Sequence, residues 1–219
     1  MSETKIRNGM QTALTPVGLL KGHSQVQQAA SDLDIATFLG HLLHGEILPS
    51  IGDYHDDDKQ DQLIELADKV TEQLSDPDAN LDLVEMSADP LTDWKTNSLP
   101  NLLAAWQRDE EAPASVFALA AIAVLIANSG LDIDRIGSFD RYDGTAQAAA
   151  IKSSFPGANA TEAELTAWLR GIIEQGGFFD GADPAQREAN IERLATAAAA
   201  DAQIILTEGV KTALKANFQ

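Results

Sequence analysis

Apolar residues recur along this 219-residue chain at spacings of three and four, and β-branched residues never alternate with polar ones over five or more positions. Spacings of three and four mark one face of a helix, whereas a half-buried strand requires strict alternation. The pattern therefore predicts an all-α fold of about nine helices, which we interpret as a single domain over residues 1–219.

Local signals predict the ends of two long helical stretches. Ser31 is the predicted N-cap of a helix over residues 32–48, whose apolar residues mostly follow the helical period. Asp183 precedes a proline and is the predicted N-cap of residues 185–218. We expect the second stretch to break near residues 198–201.

Other stretches add helices of different character. Residues 60–74 place an apolar stripe opposite an acidic face, which predicts a surface helix. Residues 116–128 are apolar on every side and predict a buried helix, ended by Gly130. Because this apolar run is well short of the roughly 20 residues that cross a bilayer, we expect no membrane segment. A capping-box pair, Thr161 and Glu164, predicts one further helix start.

The charge balance excludes several function classes. Lys and Arg total 15 and Asp and Glu total 34, so the formal net charge is −19. A field this negative repels phosphate backbones and anionic lipid heads, so we expect neither nucleic-acid nor membrane binding. The absence of cysteine excludes disulfides, thiolate metal sites and a cysteine nucleophile. No secretory signal is visible in residues 1–8, and we expect a cytoplasmic protein.

The histidines and acidic residues do not predict a metal site. His55 is followed by three aspartates whose adjacent carboxylates cannot all converge on one ion. His41 and His44 share one helix face but lack the third ligand that zinc requires. No glycine-rich phosphate-binding motif and no nucleophile-elbow motif occurs, so the sequence encodes no recognisable nucleotide-binding unit.

Three segments stand in the order in which one enzyme family carries its motifs. Residues 5–17 read KIRNGMQTALTPV, residues 34–49 begin with DIATF and end with EILP, and residues 94–103 read WKTNSLPNLL. They resemble K-x-R-x-L-N-x-x-H-T/S-A-L, E-I-x-x-F … E-I-x-P and F-K-T-R-x-L-P-x-L-L of the polyol-specific long-chain dehydrogenases. That family includes mannitol dehydrogenases, fructuronate reductase and tagaturonate reductase (altronate oxidoreductase), and the third segment is similar to the tagaturonate reductase branch.

The resemblance implies a fold and assigns NAD binding to a separate domain. Family members carry an N-terminal Rossmann domain for NAD, followed by a helical domain that resembles the C-terminal fold of 6-phosphogluconate dehydrogenase. This chain begins at the helical domain. We therefore expect a free-standing homologue of the helical domain, without a Rossmann domain. We expect this chain to bind no cofactor alone and to act with NAD only when a separate Rossmann subunit binds the NAD.

The resemblance also implies catalytic positions near the start of the chain. The family uses a lysine as general base, with an asparagine and a histidine farther along the same helix. Asn8 matches the asparagine, and Gln11 stands at the histidine position, where it cannot exchange a proton near neutral pH. Without a gap the lysine position falls on Glu3, which implies that the base is lost. Lys5 takes that position only if two residues are deleted, which rotates the upstream helix by about 200°.

Two further positions are implied to bind substrate. The arginine of the family motif R-F-x-N-P falls on Gln73, and Lys95 lies in the segment similar to F-K-T-R. A neutral Gln73 near Asp76 would disfavour an anionic sugar acid. The alternative for Lys95 is a solvated lysine that packs around Trp94, and we expect Trp94 and the other two tryptophans to fill the core.

Two functions follow as expectations. The first is a catalytically silent descendant, with a degenerate site, that binds a ligand or a partner. The second is the substrate-domain subunit of a split NAD-dependent mannitol- or tagaturonate-type oxidoreductase, with its Rossmann domain on another chain. A domain that lacks its covalent neighbour must cover the old interface, so we also expect a two-fold homodimer.

Overall fold

The structure of the protein is a computed structural model that describes residues 2–52, 54, 56–86, 89–127 and 146–219. These residues form eleven α-helices, two more than the sequence predicts: α1 (Ser2–Leu20), α2 (Val26–Ala30), α3 (Leu33–His41), α4 (Asp57–Leu74), α5 (Pro90–Asn97), α6 (Leu99–Gln107), α7 (Pro113–Ala127), α8 (Ala146–Ser154), α9 (Glu162–Gln175), α10 (Pro184–Glu208) and α11 (Val210–Phe218). The only β pairing among the described residues is an isolated bridge between Gln25 and Asp82. The predicted all-α class is confirmed.

Helix α7 lies at the centre of the fold. Every residue from Ala114 to Ala127 is buried, because α1, α5, α8 and α10 all pack against this helix. A helix that is apolar on all sides requires such surroundings. The predicted buried helix is therefore confirmed, while its predicted end at Gly130 lies outside the described residues. None of the helices in the described part of the chain combines the length and hydropathy that a bilayer crossing requires.

The start of α3 differs from the prediction. Ser31 does not cap the helix; Asp32 does, because its Oδ1 accepts the backbone N–H groups of Asp34 and Ile35. Leu33 is therefore the first residue of the helix, and its side chain is 83% exposed. Beyond α3 the chain continues through a π-helical segment (Leu42–Ile47) and a 3-10 turn (Leu48–Ser50).

The predicted break in the last helical stretch is wrong. Helix α10 continues through residues 198–201, where alanines with high helix propensity pack against the core. The chain turns instead at Gly209, whose φ of 87° suits a residue without a Cβ atom. The predicted N-cap Asp183 and the capping box at Thr161 and Glu164 are both confirmed.

Two of the three tryptophans fill the core, as predicted. Trp94 is 0% exposed and Trp168 is 5% exposed. Trp106 is only partly buried, and its ring stacks on Phe179 with the Arg193 guanidinium 4.3 Å from its centroid. The prediction that all three tryptophans are buried in the core is therefore wrong for Trp106.

Replacing glycine with alanine is expected to have opposite effects on stability at two helical positions, Gly18 and Gly171. A Cβ atom at Gly18 would lie 2.9 Å from the Ala29 Cβ and 2.9 Å from the Leu83 Cδ1, whereas one at Gly171 meets nothing within 4 Å. Gly171→Ala is expected to raise the free energy of unfolding by about 0.5–1 kcal/mol through helix propensity. Gly18→Ala is expected to lower it by about 1–3 kcal/mol, because Ala29 cannot withdraw its Cβ without moving α2.

Urea denaturation of both variants measures this difference. Gly171→Ala is the matched control, since it carries the same chemical change inside a helix without a steric contact. Two variants of equal stability would contradict the close packing of α1 against α2.

Candidate functional site

The sequence-predicted catalytic residues lie on one face of α1. Lys5, Asn8 and Gln11 are spaced by three residues, so successive side chains are neighbours on the helix surface. All three are partly buried. The Lys5 Nζ donates a hydrogen bond to the backbone carbonyl of Ser50 at 3.0 Å, which ties α1 to the 3-10 turn. Burial lowers the pKa of the Lys5 ammonium below its usual range.

A line of polar side chains continues from Lys5 across four helical elements. The Ser50 hydroxyl donates to the Asn101 Oδ1 at 2.8 Å, and the Asn101 Nδ2 donates to the Asn97 carbonyl at 2.9 Å. The Asn97 Nδ2 then donates to the Thr12 hydroxyl at 3.1 Å, back on α1. We call Lys5, Thr12, Ser50, Asn97 and Asn101 the polar seam.

Chain geometry explains why these residues meet. Asn97 ends α5 and Asn101 lies in the first turn of α6, so the two amides flank the junction between these helices. Gly9 brings α1 close to this junction, since a Cβ there would lie 2.8 Å from the Ile47 Cδ1 and 3.7 Å from the Asn101 Nδ2. Apart from Lys5, the seam consists of neutral hydroxyl and amide groups. Such groups can orient hydroxyl-bearing molecules but cannot exchange protons near neutral pH.

The structure places Gln73 beside α1 in a second polar contact. The Arg7 Nη2 donates to the Gln73 Oε1 at 2.5 Å and to the Glu3 Oε1 at 2.8 Å. Glu3 is therefore paired with a cation. Asp76 accepts the backbone N–H of Asp78 at 2.9 Å in the turn after α4.

The structure does not bring Lys95 to α1. Lys95 is exposed, and its Nζ donates to the Gly176 carbonyl at 2.9 Å, beyond the C-terminus of α9. A cation at this end of a helix is stabilised by the helix dipole. Asn97 lies two residues farther along α5 and contacts Thr12 on α1, so Lys95 projects from a different side of α5. Lys95 lines an open groove together with Thr92, Thr96, Gln147, Ala150, Gln175 and Gly176.

The described residues hold no cluster of three or more side chains that could bind a metal ion. The His23 Nε2 lies 3.1 Å from the Asp32 Oδ2, and the His41 ring lies 5.6 Å from the ring of Phe218. His55, the start of the predicted acidic loop, lies outside the described residues.

Sequence reasoning missed the most buried acidic group among the described residues. Glu46 is 2% exposed and lies in the π-helical segment. Its Oε1 accepts the Ala114 backbone N–H at 2.6 Å, while its Oε2 accepts the Ser115 backbone N–H at 2.9 Å and the Ser115 hydroxyl at 2.5 Å. Burial raises the pKa of Glu46 to about 7, although the three hydrogen bonds act in the opposite direction. The available signal was a glutamate on the otherwise apolar face of Leu42, Leu43 and Ile47.

Comparisons with known proteins bear on the resemblance. No family model matches the chain. An altronate oxidoreductase of Klebsiella pneumoniae (strain 342) is 34% identical over 118 residues, which cover 53% of this chain and 23% of that protein. Those of Cronobacter sakazakii (strain ATCC BAA-894) and Escherichia coli O1:K1 / APEC are 34% and 33% identical over the same length. The chain is related to the altronate oxidoreductases. It spans only 23% of the length of these relatives.

A solved structure supports the fold over nearly the whole chain. Pseudomonas fluorescens mannitol 2-dehydrogenase, in a ternary complex with NAD and D-mannitol, matches with a TM-score of 0.66 and 19% sequence identity. The match covers 98% of this chain and 40% of that protein. The expectation that the chain shares the helical fold of mannitol dehydrogenase is confirmed.

Two of the segments that carry the family resemblance have clear structural roles. Glu46, in the segment EILP, caps the N-terminus of α7. Trp94, in the segment WKTNSLPNLL, donates from its Nε1 to the Ser115 carbonyl at 2.9 Å. Both contacts meet at Ser115, so these segments position α7 within the fold.

Proposed function

We propose that this chain is a homologue of the substrate-binding domain of NAD-dependent polyol and hexuronate dehydrogenases that catalyses no dehydrogenation by itself. The observation that carries the proposal is the setting of Lys5, whose ammonium is bonded to a backbone carbonyl among neutral seam residues. Removing hydride from an alcohol also requires a base for its hydroxyl proton and a nicotinamide to accept the hydride. Gln11 cannot serve as that base.

The same arrangement favours a neutral ligand. Asn8 and Gln11 add two amides to the face of α1 that carries Lys5, and amides both donate to and accept from hydroxyl groups. The nearby Arg7 guanidinium is paired with Glu3, which offsets part of the positive charge that would attract a ligand carboxylate. We propose a polyol such as mannitol as the preferred ligand, ahead of a sugar acid.

Two measurements on the purified chain test this proposal. Incubation with NAD(H) and mannitol, mannonate or tagaturonate is expected to produce no change in NADH absorbance. Calorimetric titration is expected to show tighter binding of mannitol than of either sugar acid. Asn8→Ala should weaken mannitol binding by about 0.5–3 kcal/mol through a lost hydrogen bond, whereas Asn190→Ala on α10 is the matched control and should not.

Turnover by the isolated chain that is lost in Asn8→Ala would overturn the silent assignment. Tighter binding of tagaturonate than of mannitol would overturn the charge argument and the alignment at Glu3 and Gln73.

A second candidate function rests on the lowered pKa of Lys5. A partly buried lysine that releases its proton more readily is suited to act as a general base. On this alternative the chain is the substrate-domain subunit of a split oxidoreductase and gains NAD from a separate Rossmann chain. Mixing with such a chain would then restore NAD-dependent turnover, and Lys5→Met would abolish it. Lack of turnover in every such mixture would contradict the split-enzyme alternative and favour the catalytically silent function.

A further inference from the structure

A small cavity lies between α1, α3 and α4, and none of the sequence-predicted site residues lines it. Its volume is about 140 Å³. Its lining includes four buried apolar side chains from four segments of the chain, namely Met10, Leu39, Leu43 and Leu74. Because an apolar cavity of about 150 Å³ in another protein holds benzene, this volume suits one compact apolar group.

Small residues on α3 keep the cavity open. Gly40 and Ala36 line it from successive turns of that helix. A Cβ atom at Gly40 would meet nothing within 4 Å, so the space beside this residue is not filled by a neighbouring side chain. Larger residues at these two positions would therefore occupy the cavity from the α3 side.

The rim on α4 presents hydrogen-bond acceptors. Asp68 lines the cavity and is exposed, and Thr71 lies one turn farther along the same helix. The Thr71 hydroxyl donates its proton to the Ala67 carbonyl at 3.0 Å, which leaves the oxygen lone pairs able to accept. A carboxylate and an accepting hydroxyl together suit a ligand group that donates several hydrogen bonds and carries positive charge.

The charge of the whole chain acts in the same direction. A net charge of −19 attracts small cations and repels small anions around every opening on the surface. We propose that this cavity binds a small organic cation, with a compact apolar body against Met10 and Leu43 and a primary ammonium group at Asp68. This site is independent of the polar seam and of the function proposed above.

Three probes with the same phenyl ring, similar size and different charge test the proposal. Backbone amide NMR of the full chain is followed during titration with benzylammonium, benzyl alcohol and benzoate at one pH and ionic strength. Benzylammonium is expected to saturate amide shifts of the residues around Gly40 and Thr71 with a Kd on the order of 1 mM. Benzyl alcohol is expected to bind more weakly, and benzoate weakest of all.

Variants separate the charge from the cavity. Asp68→Asn is expected to weaken benzylammonium binding about two- to fivefold, while Glu65→Gln removes the same charge from α4 outside the cavity lining and should leave it unchanged. Gly40→Leu is expected to weaken all three probes at least about tenfold, because it fills the apolar space. Ala36→Leu provides a second filling variant should Gly40→Leu fail to fold by circular dichroism.

Some results would overturn the proposal. Benzoate binding as tightly as benzylammonium would show that charge does not select the ligand. Equal effects of Asp68→Asn and Glu65→Gln on benzylammonium binding would show the same for the charge of Asp68. Unchanged benzylammonium binding in a folded Gly40→Leu or Ala36→Leu variant would place the ligand elsewhere, and so would saturating shifts confined to other helices.

Discussion

Replacing Glu46 with alanine is expected to lower the free energy of unfolding by about 3–5 kcal/mol, measured by urea denaturation below the Glu46 pKa of about 7, where ionisation of the buried group does not offset the loss. The carboxyl group accepts two backbone N–H groups at the start of α7 and the Ser115 hydroxyl. At 2% exposure, water does not take the place of the lost side chain without opening the core. Each donor left unpaired costs about 1–3 kcal/mol of desolvation, and a cavity adds to the loss.

Two control variants distinguish capping from the loss of any acidic residue. Glu46→Gln keeps one accepting oxygen and is expected to lose about half as much stability, since its amide group faces a donor. Glu65→Ala removes an exposed carboxylate from α4 and should change stability by at most about 0.5 kcal/mol. A loss below about 1 kcal/mol for Glu46→Ala would contradict the inference that this side chain positions α7.

Replacing Asp201 with asparagine is expected to raise the free energy of unfolding by about 2–4 kcal/mol at pH 8 and to change it little at pH 4. Asp201 is 9% exposed, and burial raises its pKa from 3.8 to about 7 although the Asn217 amide donates to it. The folded chain therefore keeps this proton at pH values where the unfolded chain has released it. Stability is lost as the pH rises from 3.8 to about 7, and asparagine, which never ionises, avoids that loss.

Urea denaturation at several pH values measures the effect as a difference between variant and wild type. Asparagine keeps an oxygen that can accept the 3.0 Å hydrogen bond from the Asn217 Nδ2, so the substitution changes charge more than shape. Glu208→Gln removes one charge from the exposed end of the same helix, and its difference from wild type should not follow the profile of Asp201→Asn. Parallel profiles for the two variants would show that Asp201 titrates like a surface carboxyl.

The helix boundaries show where local sequence signals suffice. The capping box at Thr161 and Glu164 was predictable because both partners lie within one turn and need no other part of the chain. The start of α3 could not be predicted in this way, because Ser31 and Asp32 are adjacent in sequence and both are good N-cap residues. Asp32, the residue that caps the helix, also forms an ion pair with Lys21, which lies outside α3 and pairs with Asp34 as well.

The candidate site combines placements that follow from residue spacing with contacts that depend on how the helices pack. Matching segments placed Lys5, Asn8 and Gln11 on one helix face, and their spacing alone is enough for that. The same matching placed Lys95 among the expected substrate contacts, and in the structure its Nζ donates to the Gly176 carbonyl near α9. A motif orders residues along the chain, but the direction of each side chain depends on which helices pack around it.

Helical class and the buried character of α7 follow from the order of the residues, because hydrophobic period and the absence of a polar face are local properties. The hydrogen bonds that join Lys5 and Glu46 to their partners connect residues far apart in the sequence. Lys5 meets Ser50 across 45 positions and Glu46 meets Ala114 across 68, and no pattern in either neighbourhood indicates its partner. These pairs form because packing of α1, α6 and α7 around a common core brings the groups within bonding distance and removes the water that would otherwise satisfy them.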